Sequence, residues 1–503
     1  MRSLLLLGSA LAGGLHAACG LDAGFGSGGY QLFASPSGGA AAIGYDTLLL
    51  SDGRVLVAGA GERSGDRDAA WWCLDAAGAL QGSAGYHALA GGADEEFFAA
   101  AQAPGGGPVY LAGYAVDGVG STLLAVRRLS FPALGVDTGF AGGLLTLTAA
   151  GPANGVAVAA NGDVYLAAAN QLWRILDDGT PDPGFGSGGV LQFDALAQAW
   201  DLQKDSQGRL LISGAVPSGV GLWRRTAGGA VDAGFGGAGK VTASVGGAFD
   251  YGELAAISIL AGDAVMATGY LNRSLSGNSA WLALKVDAGG SGDPGFGVSG
   301  LAQGPESSSF IGQRGAAGAL QAEGGAWLLC GNSVGGLGET PALWRLLADG
   351  SADSGFGTGG RLDVSATGGQ IRRPRRSGAL AYATGYLGSG MALWRFSACD
   401  PVPTPTPDPA ALDLGSAAER AIAYPNPARG RITLAWQQAE AAGVTLTVFD
   451  ERGVVLRREA RELGAGPVQW ALDLGAFSPG VYLYALQSSQ GAVPPPSKFV
   501  VLP

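Results

Sequence analysis

The sequence predicts an all-β protein: a seven-bladed β-propeller followed by a small immunoglobulin-like β-sandwich. Three observations carry that expectation. Glycine makes up 90 of 503 residues, against a usual ~7%, which is too costly inside helices for a helical bundle. A turn of the type Asp-x-Gly-Phe-Gly returns repeatedly through residues 20–400. From residue 422 onward the glycine thins out and short alternating strands take over. Hydrophobic residues at 47% are interleaved with the glycine, which argues against simple disorder.

The turn reads DAGFGSGG at Asp22, DTGFAGG at Asp137 and DPGFGSGG at Asp182. It continues as DAGFGGAG at Asp232, DPGFGVSG at Asp293 and DSGFGTGG at Asp353. A degraded copy near Gln81 fills the one double gap, giving spacings of 59, 56, 45, 50, 61 and 60 residues. In step with it runs a glycine turn plus apolar strand, such as DGRVLVAG from Asp52 and QGRLLISG from Gln207, found seven times. A third landmark, of the type Leu-Trp-Arg-Leu, precedes the Asp-Phe turn, with Trp72, Trp173, Trp223, Trp344 and Trp394 in its tryptophan slot. Each unit therefore reads strand, strand, glycine turn, strand, short loop, Trp strand, Asp-Phe turn. Four short strands in about 55 residues fit a propeller blade, whose faces are buried only by stacking on neighbouring blades. Phe25, Phe140, Phe185, Phe235, Phe296 and Phe356 are the expected plugs between blades.

These residues resemble the delta-60 repeat family over about residues 20–400. The resemblance implies a repeat architecture in a secreted bacterial protein and no particular chemistry.

Residues 1–18 combine Arg2, an apolar run from Leu4 and small residues before Cys19, the pattern of a secretory signal peptide. A lipidated Cys19 is the competing reading, although His16 stands where a small aliphatic residue is usual. No later stretch reaches the 18 apolar residues of a membrane-spanning helix. Export makes disulfides possible. Cys19 lies three residues before Asp22, and Cys399 lies four before position 403, where the repeat would place its next Asp. The two thus hold adjacent repeat positions at opposite ends of the array, and a Cys19–Cys399 disulfide across a closed ring is expected. Cys73 and Cys330 read as buried small hydrophobes.

Pro401, Pro403, Pro405, Pro407 and Pro409 mark residues 401–421 as a semi-rigid linker. Residues 422–503 then supply six or seven alternating strands, enough for a small immunoglobulin-like sandwich. Tyr424, Pro425, Asn426 and Pro427 open this module. Gly453 ends its central turn, Gly480 and Tyr482 lead the penultimate strand, and Lys498 begins the last. Together these look like a type A sorting domain of the type IX secretion system. The resemblance implies recognition by outer-membrane secretion machinery and a destination outside the cell or on its outer surface.

The chain carries a net charge of −11, which disfavours nucleic-acid binding. Catalysis by a Ser-His-Asp or Cys-His set needs a base, and only His16 and His87 exist; His16 leaves with the signal peptide. A histidine zinc site fails for the same shortage. The turn aspartates stand one per blade, too far apart to converge on calcium, so Asx-type turn capping is expected. Glu95, Glu96, Asp66, Asp68, Asp250 and Glu253 are read as solvated loop acids, and Arg372, Arg373, Arg375 and Arg376 as an exposed loop. No catalytic residue, cofactor or metal is expected. The leading expectation is binding or structural display at the cell surface, toward a glycan or protein ligand. A carboxylate-dependent glycan hydrolase using the propeller cleft is the alternative.

Overall fold

The computed structural model describes residues 20–82, 84–87, 94–195, 197–217, 219–244, 251–272, 279–305, 310–311, 319–321, 327–335, 338–364, 368–377, 380–397, 422–424, 431–438, 440–450, 454–475, 477–478, 480–489 and 497–501. The signal segment 1–18, Cys19, Cys399 and the proline-rich stretch 401–421 lie outside them. The chain divides into two compact units, Met1–Pro401 and Val402–Pro503.

Glycine and β-branched residues give the first unit short strands and sharp turns. Among the described residues these form seven separate antiparallel sheets of four or five strands. One sheet shows the plan: Gln198–Lys204 is innermost, followed by Leu210–Val216, Gly219–Arg225 and an outer strand Lys240–Ser244. The outer strand comes after the Asp-Phe turn and folds back on the Trp strand, pairing Trp223 with Lys240. The structural unit is therefore shifted by one strand from the sequence repeat: the strand that follows each turn completes the preceding blade.

The innermost strands pack in sequence: Ala42–Leu49, Glu95–Gln102, Ala153–Val158, Gln198–Lys204, Tyr251–Ile259, Ala319–Gln321 and Gly369–Ser377. Gly369–Ser377 then packs on Ala42–Leu49. This cyclic order makes the unit a β-propeller. Its two ends meet in one sheet, where Gly20–Leu21 and Tyr30–Phe33 both pair with Gly390–Ser397. The start of the chain thus supplies the outer strands of the last blade and fastens the ring shut.

A bulge interrupts six of the inner strands, for example between Phe97 and Ala99 and between Leu254 and Ala256. It drives an inner-strand carbonyl onto the strand behind. A Cβ at Gly269 would stand 1.7 Å from the Glu253 carbonyl oxygen, and one at Gly113 1.9 Å from that of Glu96. That contact explains why the apolar strand of each repeat tends to end in glycine.

The second unit is a two-sheet sandwich. One sheet orders Ile422–Tyr424, Arg431–Gln438 and Gly466–Asp473; the other orders Val455–Leu463, Ala442–Phe449, Gly480–Ser488 and Ser497–Val501. Alternating residues Ile432, Leu434 and Trp436 face Val444, Leu446 and Val448 in one core, with Trp436 stacked on Trp470 at 6.5 Å. Tyr424 ends its strand, Gly480 begins one, and Lys498 pairs with Leu483. The Tyr482 hydroxyl donates to the Ser478 carbonyl at 2.5 Å, anchoring a buried ring. Pro425, Asn426, Pro427 and Gly453 lie outside the described residues.

Candidate binding site at the channel mouth

The two ends of the propeller are built differently. At one end sit the repeated turns. Each turn aspartate accepts a hydrogen bond from the backbone N–H two residues on: Gly24 to Asp22 (3.0 Å), Gly139 to Asp137 (2.9 Å) and Gly184 to Asp182 (2.8 Å). Gly234 to Asp232 (3.1 Å), Gly295 to Asp293 (2.8 Å) and Gly355 to Asp353 (3.0 Å) repeat the contact. The other carboxylate oxygen takes the basic residue of the third strand. Arg395 meets Asp22, Arg128 meets Asp137, Arg224 meets Asp232, Lys285 meets Asp293 and Arg345 meets Asp353, all within 2.8 Å, while Arg174 stands 3.3 Å from Asp182.

In five of the six turns, Arg174 lying instead over Tyr165 at 5.8 Å, that cation also covers the phenylalanine: Arg224 lies 4.4 Å from the Phe235 ring centroid and Arg395 4.5 Å from that of Phe25. It then donates to a turn carbonyl of the next blade, Arg128 to Asp177 at 2.6 Å and Arg224 to Ala288. All six phenylalanines are buried. Each of the first five abuts a left-handed glycine of the following blade; at Gly229 a Cβ would meet Phe185 at 2.8 Å. The tripartite contact of Asp, Arg or Lys, and Phe is thus an inter-blade staple. The sequence held its signal in the basic residue at the Trp strand, which in five of the six pairs stands eight or nine residues before the aspartate.

At the opposite end, where the inner strands begin, the residues differ from blade to blade. A cavity of about 830 Å³ opens there. Tyr45, Phe98 and Tyr114 make a continuous aromatic wall, with ring centroids 4.9 and 5.5 Å apart. Arg67, its side chain 56% exposed, donates to Glu96 at 2.6 Å and through its backbone N–H to Asp94 at 2.8 Å. The Glu96 hydrogen bond and charge hold the Arg67 guanidinium firmly protonated. Burial, reinforced by Glu96, pushes the Tyr45 and Tyr114 hydroxyls well above the usual phenol range. Both stay neutral and able to donate.

Arg372 covers the Tyr45 ring at 4.8 Å and donates to Gln370, whose amide donates to Glu339 at 2.6 Å. The Tyr386 hydroxyl donates to the same Glu339 oxygen at 3.1 Å, and burial and that carboxylate push it up to about 12. A second cavity of about 370 Å³ shares Tyr45, Arg67 and Arg372 with the first.

Three tyrosines occupy one repeat position. Tyr114, Tyr270 and Tyr386 each follow the glycine of the apolar strand and stand opposite Glu96, Glu253 and Gln370. A tyrosine directly after that glycine, in LAGY, ATGY and ATGY, was the available sequence signal.

Below the mouth the channel is blocked. Arg373 sits at positive φ (33°) inside the bulge of Gly369–Ser377. Its guanidinium donates to the Trp200 carbonyl at 2.9 Å and the Asn154 carbonyl at 3.2 Å. It also stands 3.5 Å from Asp46 and 3.6 Å from Asp201. Those partners belong to three other blades, two of them not adjacent to its own. Burial opposes its charge, but Asp201 and Asp46 hold it protonated.

This corrects the reading of residues 372–376 as an exposed loop. They lie on an inner strand, and Arg372 and Arg373 are buried. The acids read as solvated loops are likewise on strands. Glu95 and Glu96 belong to Glu95–Gln102 and Glu253 to Tyr251–Ile259, all three buried. Asp66 and Asp68 open Asp66–Leu74, with Asp68 buried beside Arg63 at 3.1 Å. Asp250 and Cys19–Cys399 fall outside the described residues. The inner edge of a blade carries charge because neighbouring blades supply partners, which local sequence cannot reveal.

The fold and mouth thus define a β-propeller with a blind polar-aromatic cup, joined in one chain to a β-sandwich. Residues 422–501 match the family model of the secretion system C-terminal sorting domain, the module handled by the type IX secretion machinery. Proteins that carry it are secreted or attached to the cell surface, and the chain is destined there. Solved structures similar to the chain include PorZ, an essential surface component of the type IX secretion system of Porphyromonas gingivalis, at 12% identity, 90% of this chain, 68% of that chain and TM-score 0.30. The RRP9 WD40 repeats match at 11% identity, 73% and 97% coverage and TM-score 0.43. BamB from Moraxella catarrhalis matches at 10% identity, 70% and 96% coverage and TM-score 0.38. No curated protein matches the chain.

Proposed function

We propose that this protein is a surface-displayed or secreted binding protein, a seven-bladed propeller of delta-60-type repeats delivered by an immunoglobulin-like sorting module. Its ligand docks at the mouth of the propeller. The cup lined by Tyr45, Phe98, Tyr114, Arg67, Glu96 and Arg372 carries this reading, since aromatic walls with a few convergent polar groups are the usual form of a ligand site. Binding is favoured over hydrolysis because the mouth carboxylates are engaged in holding their neighbours: Glu96 anchors Arg67, and Glu339 anchors Gln370 and Tyr386. The reading is tested by fractionating cells that produce the full chain or a chain lacking 422–503. The full chain is expected in the medium or at the protease-accessible surface, and the shortened chain inside the envelope. Equal surface delivery of both overturns the sorting role.

A further inference from the structure

We propose that the mouth recognises the terminal units of a neutral saccharide chain, entering end-on. This rests on the binding reading above and deepens it. Two observations carry it.

The first is the chemistry of the wall. Phe98 and Tyr114, backed by Tyr45, present a hydrophobic face, suited to the apolar C–H face of a pyranose ring. Donors and acceptors both line the cup with that face: the Arg67 and Arg372 guanidiniums and the Asp94 and Glu96 carboxylates. A hydroxyl both donates and accepts, so it uses such a mixed rim fully, whereas an ion uses half of it. The formal charges of the four groups cancel, which favours a neutral ligand over an anionic or cationic one.

The second is the floor. Tyr45 lines the cup and the next residue, Asp46, holds Arg373; Arg372 lines the cup and the next residue is Arg373 itself. The seal therefore lies one residue below the binding wall. A polymer cannot thread through a channel that Arg373 spans from its own blade to Asp46, Asn154 and Asp201. With threading closed, an end-on approach sets the terminal units against the wall. A cup of about 830 Å³ falls within the ~300–1,000 Å³ usual for small-ligand sites, room for a few sugar units.

The test uses the full-length chain on an array of neutral and acidic glycans, followed by titration of the best ligand. Neutral glycans are expected to bind, and di- or trisaccharides matching the chain end are expected to compete as well as the long chain. Phe98→Ala is expected to weaken binding by about tenfold or more, with unchanged circular dichroism and unfolding midpoint as the control for folding. Binding of long chains that short ends fail to displace overturns end-on entry while leaving the saccharide class intact. Capture only of acidic glycans or of peptides overturns the class while leaving the binding reading intact. Steady release of shortened glycan by the wild-type chain overturns the binding reading itself.

Discussion

The repeated turns and the mouth stand at opposite ends of the same inner-to-outer strands, yet their residues obey different rules. At the turns five of the described blade boundaries use the same parts, an aspartate and a basic residue over a phenylalanine, and commonly a glycine on the next blade leaves room for the ring. At the mouth the equivalent inner-strand position holds Ile43, Glu96, Gln198, Glu253 or Gln370. Sameness marks the parts that hold blades together, because each interface poses the same packing problem. Difference marks the surface that meets something outside the array. Mutations should separate the two ends cleanly.

The largest effect is expected where the two ends join, at Arg373. Arg373→Ala leaves Asp201 and part of the Asp46 environment as buried carboxylates without their cation. Such a break costs about 3–5 kcal/mol, to be read as a lowered urea midpoint of the full chain. A midpoint within error of wild type removes Arg373 from its role as the seal.

Next comes the staple. Phe235→Ala empties a site between two blades and should cost about 3–5 kcal/mol, and Phe185→Ala should cost a similar amount because it too is buried against a left-handed glycine of the next blade. Ligand binding per folded molecule should not change in either variant. The reverse pattern, lost binding with retained stability, belongs to Phe98→Ala; a Phe235→Ala variant that behaved like it would erase the contrast between turn and mouth.

The smallest effect is electrostatic. Burial works against ionisation of Asp232 and Asp293, but Arg224 and Lys285 with the Gly234 and Gly295 N–H groups outweigh it and hold both carboxyls below the usual range. A depressed folded pKa gives stability that is fully present above the unfolded value of ~3.9 and lost as pH falls through the folded value. Melting temperature attributable to these turns should therefore be flat from pH 7 to pH 5 and fall below about pH 4. Asp232→Asn should lower the neutral-pH midpoint and flatten that acid limb; an unchanged limb in the double variant with Asp293→Asn counts against the staple as an ionic contact.

The staples were legible in part. The Asp-Phe turn and the Trp strand stand out by recurrence, and Asp22, Asp137 and Asp182 could be assigned to turn capping from their spacing to glycine. The basic partner was visible in Trp-Arg but had no reason to be singled out without knowing that it reaches the next blade. The mouth was scarcely legible. Tyr114, Tyr270 and Tyr386 share a repeat position, but they are three copies among seven. Residues 372–376 misled for a definite reason: four arginines around a proline look solvated unless distant segments are known to bring Asp46, Asp201 and Glu339 to meet them.

By itself, the sequence determined the all-β class and the repeat, because these follow from local rules: glycine's φ freedom, period-two alternation and recurrence at a fixed spacing; the destination outside the cell came from the resemblance of its last residues to a sorting domain. Only the tertiary structure decided that the first and last strands share a sheet, that Arg373 closes the channel and that an aromatic cup faces outward above it. Those features join residues up to several hundred positions apart, such as Asp46 with Arg375, and no local preference encodes which segments a closed ring will bring face to face.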